Sequence, residues 1–168
     1  MKITNVEAWV VVPDLGGLSD YEGEWQWTFV TIETDEGITG WGESSSSPRN
    51  GSLLTGAGVR AVKEALIGED PADIERLWHK LFRRYTYMGS RGFPTTIISG
   101  IDIALWDIKG KATGRPVYDL LGGKMRDDIR MYANAWFGDC STPDNYAAAA
   151  KKVVAEGPEN VERAKSAV

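Results

Sequence analysis

Apolar residues at Ile98, Ile101, Leu105, Ile108 and Ala112 recur at steps of three or four, the stripe of a helix with one buried face. Ile97, Ala104 and Trp106 widen the stripe, so this helix is expected to be covered on more than one side. Ser99 or Thr96 is placed to cap its start, with Asp102 early, where a carboxylate suits the helix dipole. Lys109 and Lys111 come late, and Gly114 is a natural stop. Pro116 suits the first turn of a short second helix, Val117 to Leu121, which Gly122 and Gly123 end.

Upstream the period changes from helical to two. Val6, Ala8, Val10 and Val12 alternate with Asn5, Glu7, Trp9 and Val11, and Trp25 to Thr34 is rich in aromatic and β-branched residues. A loop from Pro13 to Gly23 separates these two strands. The turn Asp35-Glu36-Gly37 leads into a third, Ile38 to Glu43, expected to pair with the second as a hairpin. Ser44 to Gly58 is polar and rich in Gly and Ser, with its end entering a helix that carries Val59, Val62, Leu66 and Ile67. Asp73 is placed to cap the next helix, which has Ile74, Leu77, Trp78, Leu81 and Phe82 on one face and charges on the other. Tyr85 to Pro94 reads as a loop. Strands followed by helices imply an α+β domain.

After Gly123 the chain becomes a charged linker, Lys124 to Asp128, then a short strand, Ile129 to Ala135, then a helix, Asp144 to Glu156, opened by Thr142 or Ser141 with Pro143. The expected domains are therefore 1–123 and 124–168. Pro158 to Val168 is amphipathic and helical, with Val161, Ala164 and Val168 on one side.

The run GIDIALWDIKGKATGRPVYDLLGG resembles the end of the N-terminal capping domain in the mandelate racemase and muconate-lactonizing enzyme branch of the enolase superfamily. The resemblance implies a three-stranded antiparallel sheet with helices, followed by a (β/α)8 TIM barrel that is incomplete here. It implies magnesium-dependent removal of the proton α to a carboxylate through an enediolate. RGFPTTIISGIDIALWDIKGK is similar to the acid-sugar dehydratases, which points to dehydration to a 2-keto-3-deoxy acid, with a racemase or cycloisomerase as the alternative. Family members are commonly homo-oligomers. Where the family has a second barrel strand with its base, this chain has Gly157 and Pro158. The expectation is either a truncated or internally deleted chain or part of a longer protein. Taken literally, 168 residues cannot close a barrel of ~250 residues, and an inactive cap that self-associates is the competing reading.

Composition narrows the partners. Lys and Arg number 19 against 24 Asp and Glu, a net charge of −5, which argues against nucleic acid and anionic membranes. One cysteine excludes an internal disulfide framework. The N-terminus lacks a signal-peptide pattern and no run approaches a membrane span, so a cytoplasmic location is expected; a small carboxylate or acid-sugar substrate is what the family resemblance implies.

The substitutes for a catalytic centre all have plainer readings. Lys109-Gly110-Lys111 places two cations near a helix end. His79 lies on a charged helix, Cys140 lacks a second histidine nearby, and Asp127-Asp128 point apart on an extended chain. No catalytic base and no metal ligand are assigned. By position in the family, the loops 13–24 and 44–58 form a lid over the substrate. Trp25 is placed to wall the pocket and Arg49 to meet a carboxylate or hydroxyls through the fixed guanidinium fork, with Arg91 a further candidate for substrate binding. Asn134 and Trp136 end the first barrel strand, on the rim where barrel sites are built.

Overall fold

The computed structural model describes residues 1–12, 26–44, 51–89, 91–129, 136–138 and 140–165. They fall into two compact units, Met1–Gly123 and Lys124–Val168. The first is a sheet of three antiparallel strands in the order β1 (Ile3–Val11), β2 (Trp27–Thr34) and β3 (Thr39–Glu43). The Asp35-Glu36-Gly37 turn closes the β2–β3 hairpin, with Gly37 at φ 78°, a conformation glycine adopts without strain. The period of two sorts the sheet: Val6, Ala8, Val30 and Ile32 are fully buried, whereas Trp9 and Trp41 face outward.

Four helices build on this sheet: α1 (Gly51–Val62), α2 (Ile74–Arg84), α3 (Phe93–Thr113) and the single turn α4 (Val117–Leu120). α1 packs on β1, α3 on β3, and α2 on α3. Ile97, Ile98, Ile101, Ala104, Leu105 and Ile108 of α3 are all buried in a core shared with Val59, Leu66, Leu77 and Leu81. Burying side chains of this size is worth about 1.5–3 kcal/mol each, so α3 carries much of the unit's stability. Glycine lets helix and strand touch. A Cβ on Gly42 would overlap the Gly100 carbonyl oxygen, and one on Gly40 the Ala104 carbonyl oxygen. The Asp107 carboxylate then accepts the Trp41 backbone N–H at 2.8 Å and the Lys111 ammonium at 2.7 Å. Lys111 also donates to the Thr39 carbonyl.

Several boundaries differ from the sequence expectation. α3 starts at Phe93, not near Thr96 or Ser99, because Gly92 at φ 76° turns the chain and Pro94 occupies the first helical turn. The Thr96 hydroxyl returns to the Gly92 carbonyl instead of capping. Asp102 is consequently mid-helix, beyond the reach of the N-terminal dipole. Gly114 ends α3 in the left-handed conformation, φ 65°, as its position predicts. Asp73 precedes α2 without a side-chain cap, its carboxylate turned sideways to Arg76 at 2.9 Å.

Half of the expected second lid loop is helix, since α1 already begins at Gly51. Its glycines act as spacers: a Cβ on Gly58 would run into the Ile97 side chain, and one on Gly56 would press on Val10 at 3.0 Å. α1 is also pinned to the sheet: Thr28 Oγ1 donates to the Ser52 carbonyl at 2.9 Å and Ser52 Oγ to the Gln26 carbonyl at 2.8 Å.

The second unit contains α5 (Pro143–Lys165). The Asn145 N–H donates to Thr142 Oγ1 at 3.3 Å, the N-cap contact expected there. The backbone stays helical through Gly157 and Pro158, so the two helices read from the sequence are one. Ile129 is exposed and outside any strand, and residues 130–135 of the expected barrel strand lie outside the described residues.

Candidate functional site

Antiparallel pairing fixes where the variable segments sit. β1 ends at Val11 opposite Trp27, and Phe29 pairs with Glu43. The end of β1, the start of β2 and the end of β3 therefore share one end of the sheet. Gly42 lies against Gly100 and Gly40 against Ala104, so α3 runs antiparallel to β3 and its start is at this same end. Ser52 holds the first turn of α1 there too. The anchors of both expected lid loops, Val12 with Gln26 and Ser44 with Gly51, thus lie at the same end of the sheet as the N-terminus of α3.

A depression of about 540 Å³ lies at that end. Glu43 supplies one wall from β3. Arg91 and Gly92 supply the rim, and Thr95, Thr96, Ser99 and Ile103 the floor from successive turns of α3. Arg91 is exposed and makes no ion pair among the described residues. Its charge adds to the positive end of the α3 dipole, and both favour an anion. Three hydroxyls and one carboxylate make up the rest of its polar lining, with Ile103 apolar beside them.

Of the residues proposed from sequence that are described, Arg91 lines this depression. Trp25, Arg49 and Asn134 lie outside the described residues. Trp136 is in the second unit, edge-on to Phe137 with ring centroids 5.4 Å apart. Sequence reading missed Glu43, Thr95, Thr96 and Ser99. The 95/96/99/103 spacing was a signal for one helix face, but it counts only once the helix is known to begin at Phe93.

The other candidates have structural partners. Lys111 is held by Asp107, and Lys109 lies over the Trp106 ring at 5.0 Å. His79 stands edge-on to Trp78. Among the described residues no three His, Cys, Asp or Glu side chains converge to hold a metal ion, and no helix is long and apolar enough to cross a membrane. Asp102 is a partly buried carboxylate whose pKa is raised by desolvation and, secondarily, by Glu75. Glu75 of α2 is the charged group that acts on it, and Asp102 is not among the residues that line the depression.

Residues 22–122 match the sequence profile described as "Mandelate racemase / muconate lactonizing enzyme, N-terminal domain". The chain belongs to this family. Its first unit is the N-terminal capping domain of the enolase superfamily. It is 44% identical over 138 residues to the D-galactonate dehydratase of Variovorax paradoxus, covering 82% of this chain and 32% of that protein. A solved enolase-superfamily member from Salmonella Typhimurium superposes with a TM-score of 0.76 at 36% identity, over 93% of this chain and 40% of that one. The 3,6-anhydro-D-galactonate cycloisomerase of Zobellia galactanivorans superposes with a TM-score of 0.69 at 32% identity, over 79% of this chain and 35% of that one. The chain thus spans less than half the length of each of these relatives.

Proposed function

We propose that the chain forms the substrate-facing cap of an acid-sugar dehydratase, with residues 124–168 as the opening of its catalytic barrel. The observation that carries this reading is the 44% identity to a D-galactonate dehydratase over 82% of the chain. The dehydration removes the proton α to the carboxylate and expels the β-hydroxyl as water, and the resulting enol becomes a 2-keto-3-deoxy acid. Mg2+ belongs to the chemistry that the family resemblance implies, but the described residues provide no donor set that fits it. The cap's own part is therefore binding and enclosure. Arg91 pairs with the substrate carboxylate through two parallel N–H donors. Thr95, Thr96 and Ser99 meet its hydroxyls, and Glu43 accepts from one of them. A cap of this kind orients the reacting carbon and excludes water.

The test replaces the matching region of the Variovorax dehydratase with residues 22–122 of this chain and supplies D-galactonate with Mg2+. The expected result is release of water and formation of the 2-keto-3-deoxy acid. A folded chimera that turns over no acid sugar overturns the proposal. The likeness to the cycloisomerase supports a second reading, isomerisation, in which the product keeps the mass of the substrate.

A further inference from the structure

Two buried hydroxyls tie together the strand and helix ends beside the depression. Thr28 lies on the middle strand of the sheet and is fully buried. Its backbone carbonyl accepts the Ser44 N–H at 2.9 Å, the hydrogen bond just beyond Glu43. Its Oγ1 donates to the Ser52 carbonyl, in the first turn of α1, also at 2.9 Å. Ser52 is buried too, and its hydroxyl donates to the Gln26 carbonyl at 2.8 Å, just before β2. Thr28 and Ser52 thus hold the end of β3, the start of α1 and the start of β2 at one point. Residues 45–50 connect Ser44 to Gly51, so both ends of that connection are tied to Thr28.

These bonds are not what attaches α1 to the rest of the unit. Val59 and Val62, further along the helix, lie in the core, and α1 packs on β1. What the two hydroxyls fix is the end of α1 that lies beside the depression. They also reach Glu43. Glu43 pairs with Phe29, the residue after Thr28, and is followed by Ser44. Ser44 is clamped from its other side, because a Cβ on Gly100 would overlap its hydroxyl. Gly100 follows Ser99 on the floor of the depression. The Thr28–Ser44 bond therefore sets the height of the Glu43 wall against that floor, although neither Thr28 nor Ser52 lines the depression.

We propose that Thr28 is a positioning residue of the binding site, acting with Ser52 to hold Glu43 and the first turn of α1 in register with α3. This inference rests on the dehydratase reading and deepens it. The test uses the chimera with the Variovorax dehydratase and reads KM and kcat for D-galactonate together with hydrogen exchange at the Ser44 amide. Thr28→Val removes the hydroxyl at nearly constant shape. It is expected to raise KM about threefold to tenfold, the worth of one hydrogen bond, with kcat within about twofold, and to speed exchange at Ser44. Thr28→Ser keeps the hydroxyl and is expected to restore both. Thr55→Val is the control for a merely structural role. Thr55 Oγ1 is as buried, but it donates within α1, to the Gly51 carbonyl at 2.9 Å, so KM and Ser44 exchange are expected to stay at the parent values. Circular dichroism checks folding, and Ser52→Ala takes the place of Thr28→Val if that variant unfolds. An unchanged KM in Thr28→Val overturns the proposal, as does an equal rise in Thr55→Val or no recovery in Thr28→Ser. A parent chimera without activity counts against the dehydratase reading alone. Exchange then decides: a Ser44 amide no faster in Thr28→Val than in Thr55→Val overturns the positioning role.

Discussion

Gly42→Ala tests the claim that the capping domain is built on direct contact between the backbones of α3 and β3. The added methyl would overlap the Gly100 carbonyl oxygen, and would lie 2.9 Å from the Ala104 nitrogen and 3.1 Å from the Gly100 carbonyl carbon. These are backbone atoms of one helix, so no rotamer change relieves the clash. Ordinary carbon contacts lie at about 3.5–4.0 Å, so α3 must lift from β3 by on the order of 1 Å. The lift loosens the buried α3 side chains, Ile101 and Leu105 among them, in a core with no slack. Overpacking of this kind costs typically about 1–3 kcal/mol. Loss of glycine's freedom in the unfolded chain offsets about 0.4–1 kcal/mol. A net loss of about 1.3 kcal/mol lowers the melting temperature of a unit this size by about 5 °C. Gly68→Ala is the control. Gly68 has φ 79° with nothing within 4 Å of an added Cβ, so that change costs only left-handed strain, about 1 kcal/mol. Thermal melts followed by circular dichroism compare the two. Gly42→Ala melting within about 2 °C of the parent, or above Gly68→Ala, refutes the reasoning.

Three further outcomes follow from the polar contacts. Glu69 accepts from Lys80 at 2.5 Å and Arg76 at 2.7 Å, and its pKa falls to about 2. Between that value and its ordinary 4.5 the unfolded chain binds the extra proton, so stability falls as pH drops through this window; Glu69→Gln is expected to flatten that part of the pH–melting curve. Asp102 has the opposite sign. Burial raises its pKa, so its ionisation opposes folding as pH rises, and Asp102→Asn is expected to raise the melting temperature at neutral pH but not in acid. Asp107→Ala removes the acceptor of the Trp41 N–H and should cost about 0.5–1.5 kcal/mol, with faster hydrogen exchange at the Trp41 amide and little change at Val30.

Much of the fold is legible in the chain because its strongest signals are local. The stripe from Ile98 to Ile108 marks the central helix, Gly114 stops it, and alternation around Val6 and Ala8 assigns the faces of β1. The failures arise where a residue's role depends on a partner far along the chain. Gly56 and Gly58 resemble loop residues until Val10 and Ile97 are seen against them. Asp73 resembles a cap until Arg76 captures it. The candidate site shows the same division. Arg91 stands out as a cation in a glycine-bordered segment, but Glu43 joins it only because β3 and α3 run antiparallel. Thr95, Thr96 and Ser99 join it only because the helix starts before them.

The central claim is that this cap reads an acid sugar through Arg91. The most direct test measures KM and kcat for D-galactonate in the Variovorax chimera carrying Arg91→Ala and, separately, Arg91→Lys. Loss of a charge-assisted pair worth about 1.5–3 kcal/mol predicts a KM raised about tenfold to a hundredfold by alanine, with partial recovery by lysine and a far smaller change in kcat. Unchanged KM in both variants would contradict the account and remove the depression at the start of α3 from the substrate's path.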